Sequence, residues 1–156
     1  MSPTNKLAEE IAALAEEHGH TVGAAESLTG GQLTVQLAAA PNASSWFRGG
    51  VVAYSSEVKR DVLDVPHGPV VSKPAAMAMA AGACRVLGAR IGISTTGVGG
   101  PGEEEGQSPG TVWIGLAWEG IPIEAWEYKF GGEPDEICSQ TCEAALQAVR
   151  DRMHIG

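Results

Sequence analysis

The sequence predicts an α/β fold: a three-layer α/β/α sandwich in which a mostly parallel mixed sheet ends in an antiparallel hairpin. Three observations lead there. Short strand-like runs alternate with helix-like segments between His20 and Gly97, the order that parallel strands with crossover helices require. Glycine clusters (Gly30-Gly31, Gly49-Gly50, Gly97 to Gly102) fall near the strand ends, where backbone must turn tightly or approach something closely. Finally, TVWIGLAW and IPIEAWEYKF are separated only by Glu119-Gly120, a tight-turn pair that makes the two strands antiparallel. With 156 residues and neither an internal repeat nor a linker-like stretch, the prediction is a single domain over 1–156.

Each element has its own reason. Residues 5–18 place Leu7, Ile11 and Leu14 on one helical face, and Gly19 stops the helix. His20 to Ala25 reads as a short buried strand. Gly31 to Ala40 reads as a helix closed by Pro41, and the loop PNASSWFR leads into GGVVAYS, a strand ending at Tyr54. Ser56 is placed to cap a short helix through Leu63. Ser72 and Pro74 open an alanine-rich helix that ends near Gly88. RIGISTTGVGGPG is a strand running into a glycine-rich loop, and EEEGQSPG continues as a solvated acidic loop. Asp135 to Met153 forms the last helix, with Ile137, Ala144, Ala145, Leu146 and Val149 inward. Trp46, Trp113, Trp118 and Trp126 lie beside or within strands and belong to the core or an interface.

A net charge of −9 argues against nucleic-acid binding, which needs a basic face. It leaves room for a small anion held by backbone N–H groups. No apolar run is long enough to span a membrane, and the N-terminus lacks the pattern of a signal peptide. Three cysteines, an odd number, fit reduced thiols and a cytoplasmic location. Cys138 and Cys142 stand one helical turn apart, but no further ligand follows at metal spacing, so they read as semi-buried thiols.

In such sheets ligands gather at the carboxyl edge of the strands, and three stretches fall there: ESLTGG, YSSEVK and TTGVGGPG. Ser27 stands at a helix start, where its oxygen would meet the positive end of the dipole. It could serve as a nucleophile beside an oxyanion hole, help hold an anion, or act with Thr29 as a plain helix cap. Lys59 falls in the first turn of a helix. There the dipole and partial burial lower an amine's pKa and suit it as a general base; a solvated surface lysine fits the same position. TTGVGGPG can hold a planar ring or a phosphate through its N–H groups and Thr96, or simply connect strands. His18, His20, His67 and His154 all lie away from these loops, so a Ser-His-Asp triad has little support.

Taken together, AESLTGGQL, GGVVAYSSEVKRDVLDV and TTGVGGPG followed by PGTVWIGLA resemble the C-terminal domain of the CinA family, over about Leu7 to Val149. The family includes stand-alone nicotinamide mononucleotide deamidases. Its larger members carry an additional N-terminal domain that resembles molybdopterin-binding enzymes, for which this chain has no room; that domain's functions are not carried over. The resemblance implies hydrolysis of a carboxamide: nicotinamide mononucleotide and water give nicotinate mononucleotide and ammonia, with no metal or redox cofactor. It implies Ser27 as nucleophile, Lys59 as general base and Tyr54 as the hydroxyl supporting the pair. Thr29, Gly30, Gly31, Thr96, Gly97, Gly99 and Gly100 would surround the substrate, and Glu26 would orient the loop or the lysine. A pyridine mononucleotide is the implied partner, and a homo-oligomer the expected state.

Two departures matter. Leu28 stands where the family often has Cys. In FGGEPDEIC, Pro134 and Cys138 fall where the family commonly has arginines able to grip a phosphate. Arg48, Arg60 and Lys129 are the candidates to compensate. The competing reading is a binding or regulatory module that holds a nucleotide without turnover.

Overall fold

The computed structural model describes residues 2–155. Five strands form one sheet: β1 (Val22–Glu26), β2 (Phe47–Val52), β3 (Ile91–Gly97), β4 (Thr111–Trp118) and β5 (Ile121–Lys129), in the order β2-β1-β3-β4-β5. β1 pairs in parallel with β2 and β3, and β4 pairs antiparallel with β3 and β5, so four of the five strands point the same way. Six helices accompany them: α1 (Pro3–His18), α2 (Gln32–Ala38), α3 (Ala43–Trp46), α4 (Ser56–Leu63), α5 (Lys73–Leu87) and α6 (Pro134–Ile155). The mixed three-layer arrangement agrees with the prediction.

The two faces of the sheet are packed differently because their side chains differ in size. Val22, Ala24, Ile91, Ile93, Val112, Ile114 and Leu116 project to one face, where Ile11 and Ala15 of α1 and Leu146 and Val149 of α6 meet them. Arg150 of α6 pairs with Glu10 of α1 at the edge of this layer. Most of the alternate residues on the other face are small, among them Gly23, Ala25, Gly92, Ser94 and Gly115, with Trp113 the large exception. The alanine-rich α5 therefore lies close against the sheet, and Ser94 Oγ donates to the Ala76 carbonyl at 2.7 Å. A Cβ at Gly92 would overlap the Ala80 carbonyl oxygen, and one at Gly115 would overlap that of Ala76. Backbone cannot step aside as a flexible side chain can. Gly115→Ala is therefore expected to cost about 2–3 kcal/mol, read as a lowered urea midpoint with an unchanged slope.

Several boundaries differ from the sequence prediction. α1 begins at Pro3 because the Ser2 side chain caps it, accepting from Asn5 N at 3.2 Å. The four-residue α3 lies in the segment predicted as a loop. β2 starts at Phe47 and ends at Val52, so Tyr54 lies beyond the strand instead of ending it. Ser55, not Ser56, caps α4: its hydroxyl accepts from Val58 N at 3.1 Å. Trp46 and Trp118 are buried and Trp113 and Trp126 half-buried, while Cys142 is a core residue whose thiol burial pushes up to about 12.

The topology fixes where a ligand can sit. From β1 the chain crosses to β2 on one side, then returns through α4 and α5 to β3 on the other. The carboxyl ends of β1 and β3 therefore flank a switch point, the usual crevice of an open α/β sheet.

Candidate active site

A cleft of about 150 Å³ opens at that switch point. β1 delivers Ser27 and Leu28, the α4 start delivers Tyr54, Ser56 and Lys59, and the end of β3 delivers Thr96, Gly97, Gly99 and Gly100. Val70, Val71 and Glu104 complete the wall. Of the ten residues singled out from sequence, seven (Ser27, Tyr54, Lys59, Thr96, Gly97, Gly99 and Gly100) line this one space.

The other three do not line it: Thr29 is buried, Gly31 half-buried and Gly30 exposed. Glu26 is completely buried, and its two oxygens accept five hydrogen bonds. Oε1 takes the Thr29 hydroxyl (2.5 Å) and the N–H groups of Gly31 (3.2 Å) and Leu33 (3.0 Å). Oε2 takes the N–H (2.8 Å) and hydroxyl (2.5 Å) of Thr34. Gly30 N donates to the Ser27 carbonyl at 3.0 Å, and Thr29 Oγ1 also meets Thr95 Oγ1 at 2.9 Å. The start of α2 is thus closed by a carboxylate from the chain's own β1, and its donors are not free for an external anion. Gly31, at φ 107°, supplies the left-handed turn that swings α2 back over Glu26. Glu26 orients the serine loop; it makes no bond to Lys59.

Lys59 is 2% exposed, the largest charged side chain enclosed in the molecule. Its Nζ donates to the Tyr54 carbonyl at 2.9 Å, so it is the backbone of Tyr54 that holds it, while the ring is largely exposed. Burial lowers the Lys59 pKa; Glu104 and Glu105 pull the other way but do not prevail. A neutral amine can keep its N–H on the Tyr54 carbonyl and turn its lone pair into the cleft.

The wall opposite is pinned by Thr96 and by two side chains that sequence reading passed over, Glu105 and Gln107. Glu105 accepts from Val70 N and Val71 N, each at 2.9 Å. Thr96 Oγ1 donates to the Val70 carbonyl at 2.7 Å, and Gln107 Nε2 to that of Val71 at 3.0 Å. The only signal for Glu104 and Glu105 was the acid run itself, which reads as solvated because its partners lie some 34 residues away.

α6 closes the remaining side: Cys138 Sγ donates to the Leu28 carbonyl at 3.2 Å, and Pro134 packs near Gly100. Of the candidates to replace the missing arginines, none lines the cleft. Arg48 Nε is bound to the Leu87 carbonyl, Lys129 to Thr111 Oγ1, and Arg60 stays half-buried on α4. His20 meets the Trp118 ring edge-on with His18 beside it, at the other end of the sheet. A wider groove of about 330 Å³ between β5 and α6, lined by Trp126, Tyr128 and Arg152, holds no serine or cysteine beside a base. Among the described residues no three His, Cys, Asp or Glu side chains gather as metal ligands would.

These features define a mixed α/β/α unit in which a serine and a buried lysine share one switch-point cleft. Residues 4–153 match the CinA C-terminal domain, and the chain belongs to that family. It is 39% identical over 150 residues to a competence-damage inducible protein of Listeria welshimeri, covering 92% of this chain and 36% of that one. A protein of the same name from Lactiplantibacillus plantarum is 40% identical over 139 residues, 86% of this chain and 33% of that one. The chain thus spans about a third of the length of these curated relatives. Among solved structures, a CinA superfamily protein from Klebsiella pneumoniae superposes with a TM-score of 0.93 at 31% identity, covering 98% of this chain and 99% of that one. The competence/damage inducible protein CihA from Agrobacterium tumefaciens gives 0.92 at 27% identity, covering 99% and 97%.

Proposed function

We propose that this chain is an amidohydrolase that deamidates a nicotinamide nucleotide, with nicotinamide mononucleotide as the substrate the family resemblance names. The observation that carries the reading is the sharing of one cleft by Ser27 and a buried Lys59 whose surroundings favour the neutral amine. Ser27 Oγ attacks the carboxamide carbon while Lys59 Nζ takes its proton. The tetrahedral oxyanion is met by backbone N–H groups on the cleft wall, with those of Gly99 and Gly100 as the candidates, because those of Gly30 and Gly31 are engaged in hydrogen bonds within the chain. Lys59 returns the proton to the nitrogen, the C–N bond breaks and ammonia leaves. Water then cleaves the Ser27 ester, with Lys59 again as base, to give the carboxylate and free serine.

Ammonia release from nicotinamide mononucleotide by the purified protein tests this. Full release by Ser27→Ala would end the scheme. A second reading, a module that binds without turnover, is favoured by Pro134 and Cys138 standing at the rim where arginines are expected. Thermal stabilisation by the ligand with no ammonia would select it.

The pH dependence is specific. Only neutral Lys59 is a base, so kcat/KM should rise with pH along a limb below the titration of an ordinary lysine amine, and Lys59→Arg should be inactive. Between the lowered pKa and the ordinary one the unfolded chain binds more protons than the folded one. Stability therefore rises with pH across that window.

A further inference from the structure

The charges around the cleft favour a particular form of the substrate. Of the ten Lys and Arg residues, only Lys59 lines it, and Lys59 must be neutral to act as a base. Glu104 is part of the lining, and the same loop carries Glu103 and Glu105. The first turn of α6, which seats against Leu28 and Gly100, carries Asp135 and Glu136, and that of α4 carries Glu57. The start of α2 is closed by Glu26. Apart from the Gly99 and Gly100 N–H groups assigned to the oxyanion, the helix starts and rim positions around the cleft therefore hold carboxylates, a proline and a thiol, and no cation. A phosphate monoester carries nearly two negative charges at neutral pH and would meet repulsion on entry. A pyridinium ring carries one positive charge, which Glu104 complements. We infer that the cleft selects a pyridinium carboxamide nucleoside without a phosphate, in preference to its 5′-phosphate ester. This rests on the amidohydrolase reading and changes only the form of substrate.

The test compares nicotinamide riboside with nicotinamide mononucleotide on the purified wild-type protein at low salt, measuring ammonia release and ligand-induced thermal stabilisation for each. The nucleoside is expected to have at least tenfold higher kcat/KM and to give the larger stabilisation. Pro134→Arg should narrow that ratio by about tenfold by supplying the missing guanidinium, and Glu104→Gln should narrow it several-fold. Equal or better use of the mononucleotide overturns the inference while leaving the amidohydrolase standing, and a cation contributed by a second subunit would show itself in this way. Stabilisation by the nucleoside alone with no ammonia from either compound supports the selectivity and removes the catalysis. If neither compound is hydrolysed or stabilises the protein, both proposals fall.

Discussion

Lys59→Met is expected to abolish ammonia release while raising the melting temperature. The two effects share a cause. Lys59 is buried, its amine has been stripped of water, and its one hydrogen bond in the protein is to the Tyr54 carbonyl. Holding an amine there disfavours its charged form, which suits a base and burdens the fold. Methionine keeps the length and the unbranched shape of the stem without the amine. Losing the desolvated group should return about 1–2 kcal/mol after the unpaired Tyr54 carbonyl is counted, a rise of roughly 2–8 °C for a chain of this size. Catalysis should fall by about 10³ or more, the scale of a lost general base. Ser27→Ala should match that loss of turnover with a melting temperature close to wild type. A methionine variant that turns over normally would remove Lys59 from the mechanism; one that melts much lower would make the lysine a structural element.

That tension between stability and function also marks what could be read from the sequence. Signals carried by adjacent residues were legible. Ser72 and Pro74 announced α5, Glu119-Gly120 announced the hairpin, and the glycine loop after Thr96 pointed to the ligand edge. Ambiguity entered where neighbours are chemically alike. Ser55 and Ser56 are equally good caps on paper, and only the path of the chain after β2 selects the first. α3 is too short for any hydrophobic period to show. The larger ambiguity concerned Thr29, Gly30 and Gly31. A serine, a threonine and two glycines before a helix describe an anion cradle, and they describe equally well a helix start awaiting an internal carboxylate. Which one is built depends on Glu26 pointing along its strand into the first turn of α2, a tertiary fact. Lys59 was legible as a residue in the first turn of α4, but the dominant cause of its shift is burial, which depends on the segments that gather around the cleft.

The same carboxylate sets the largest stability effect expected in the molecule. Glu26→Gln preserves size and shape but changes five acceptor contacts into a mixture. With its oxygen kept at the Oε1 position, the amide can still accept from Thr29, Gly31 and Leu33, now without charge assistance. Its NH₂ then faces Thr34, where the hydroxyl can turn to accept but the backbone N–H meets another donor. An unpaired buried N–H costs about 1–3 kcal/mol, and the weakening of the remaining bonds adds to it, so the total should reach about 3–5 kcal/mol. For this chain length that is a fall of roughly 6–20 °C in melting temperature. Thr34 also rests on Gly50 of β2, so loosening the start of α2 releases its seat on the sheet as well as the loop that aims Ser27. Activity should therefore decline with stability, mostly in kcat, since Glu26 lies behind the serine and does not line the cleft. Glu26→Asp keeps the charge but is one methylene short of spanning both oxygens' partners, and should fall between the two. A glutamine variant melting within about 2 °C of wild type would show that the five bonds are replaceable by water, and that the start of α2 is open to ligand after all.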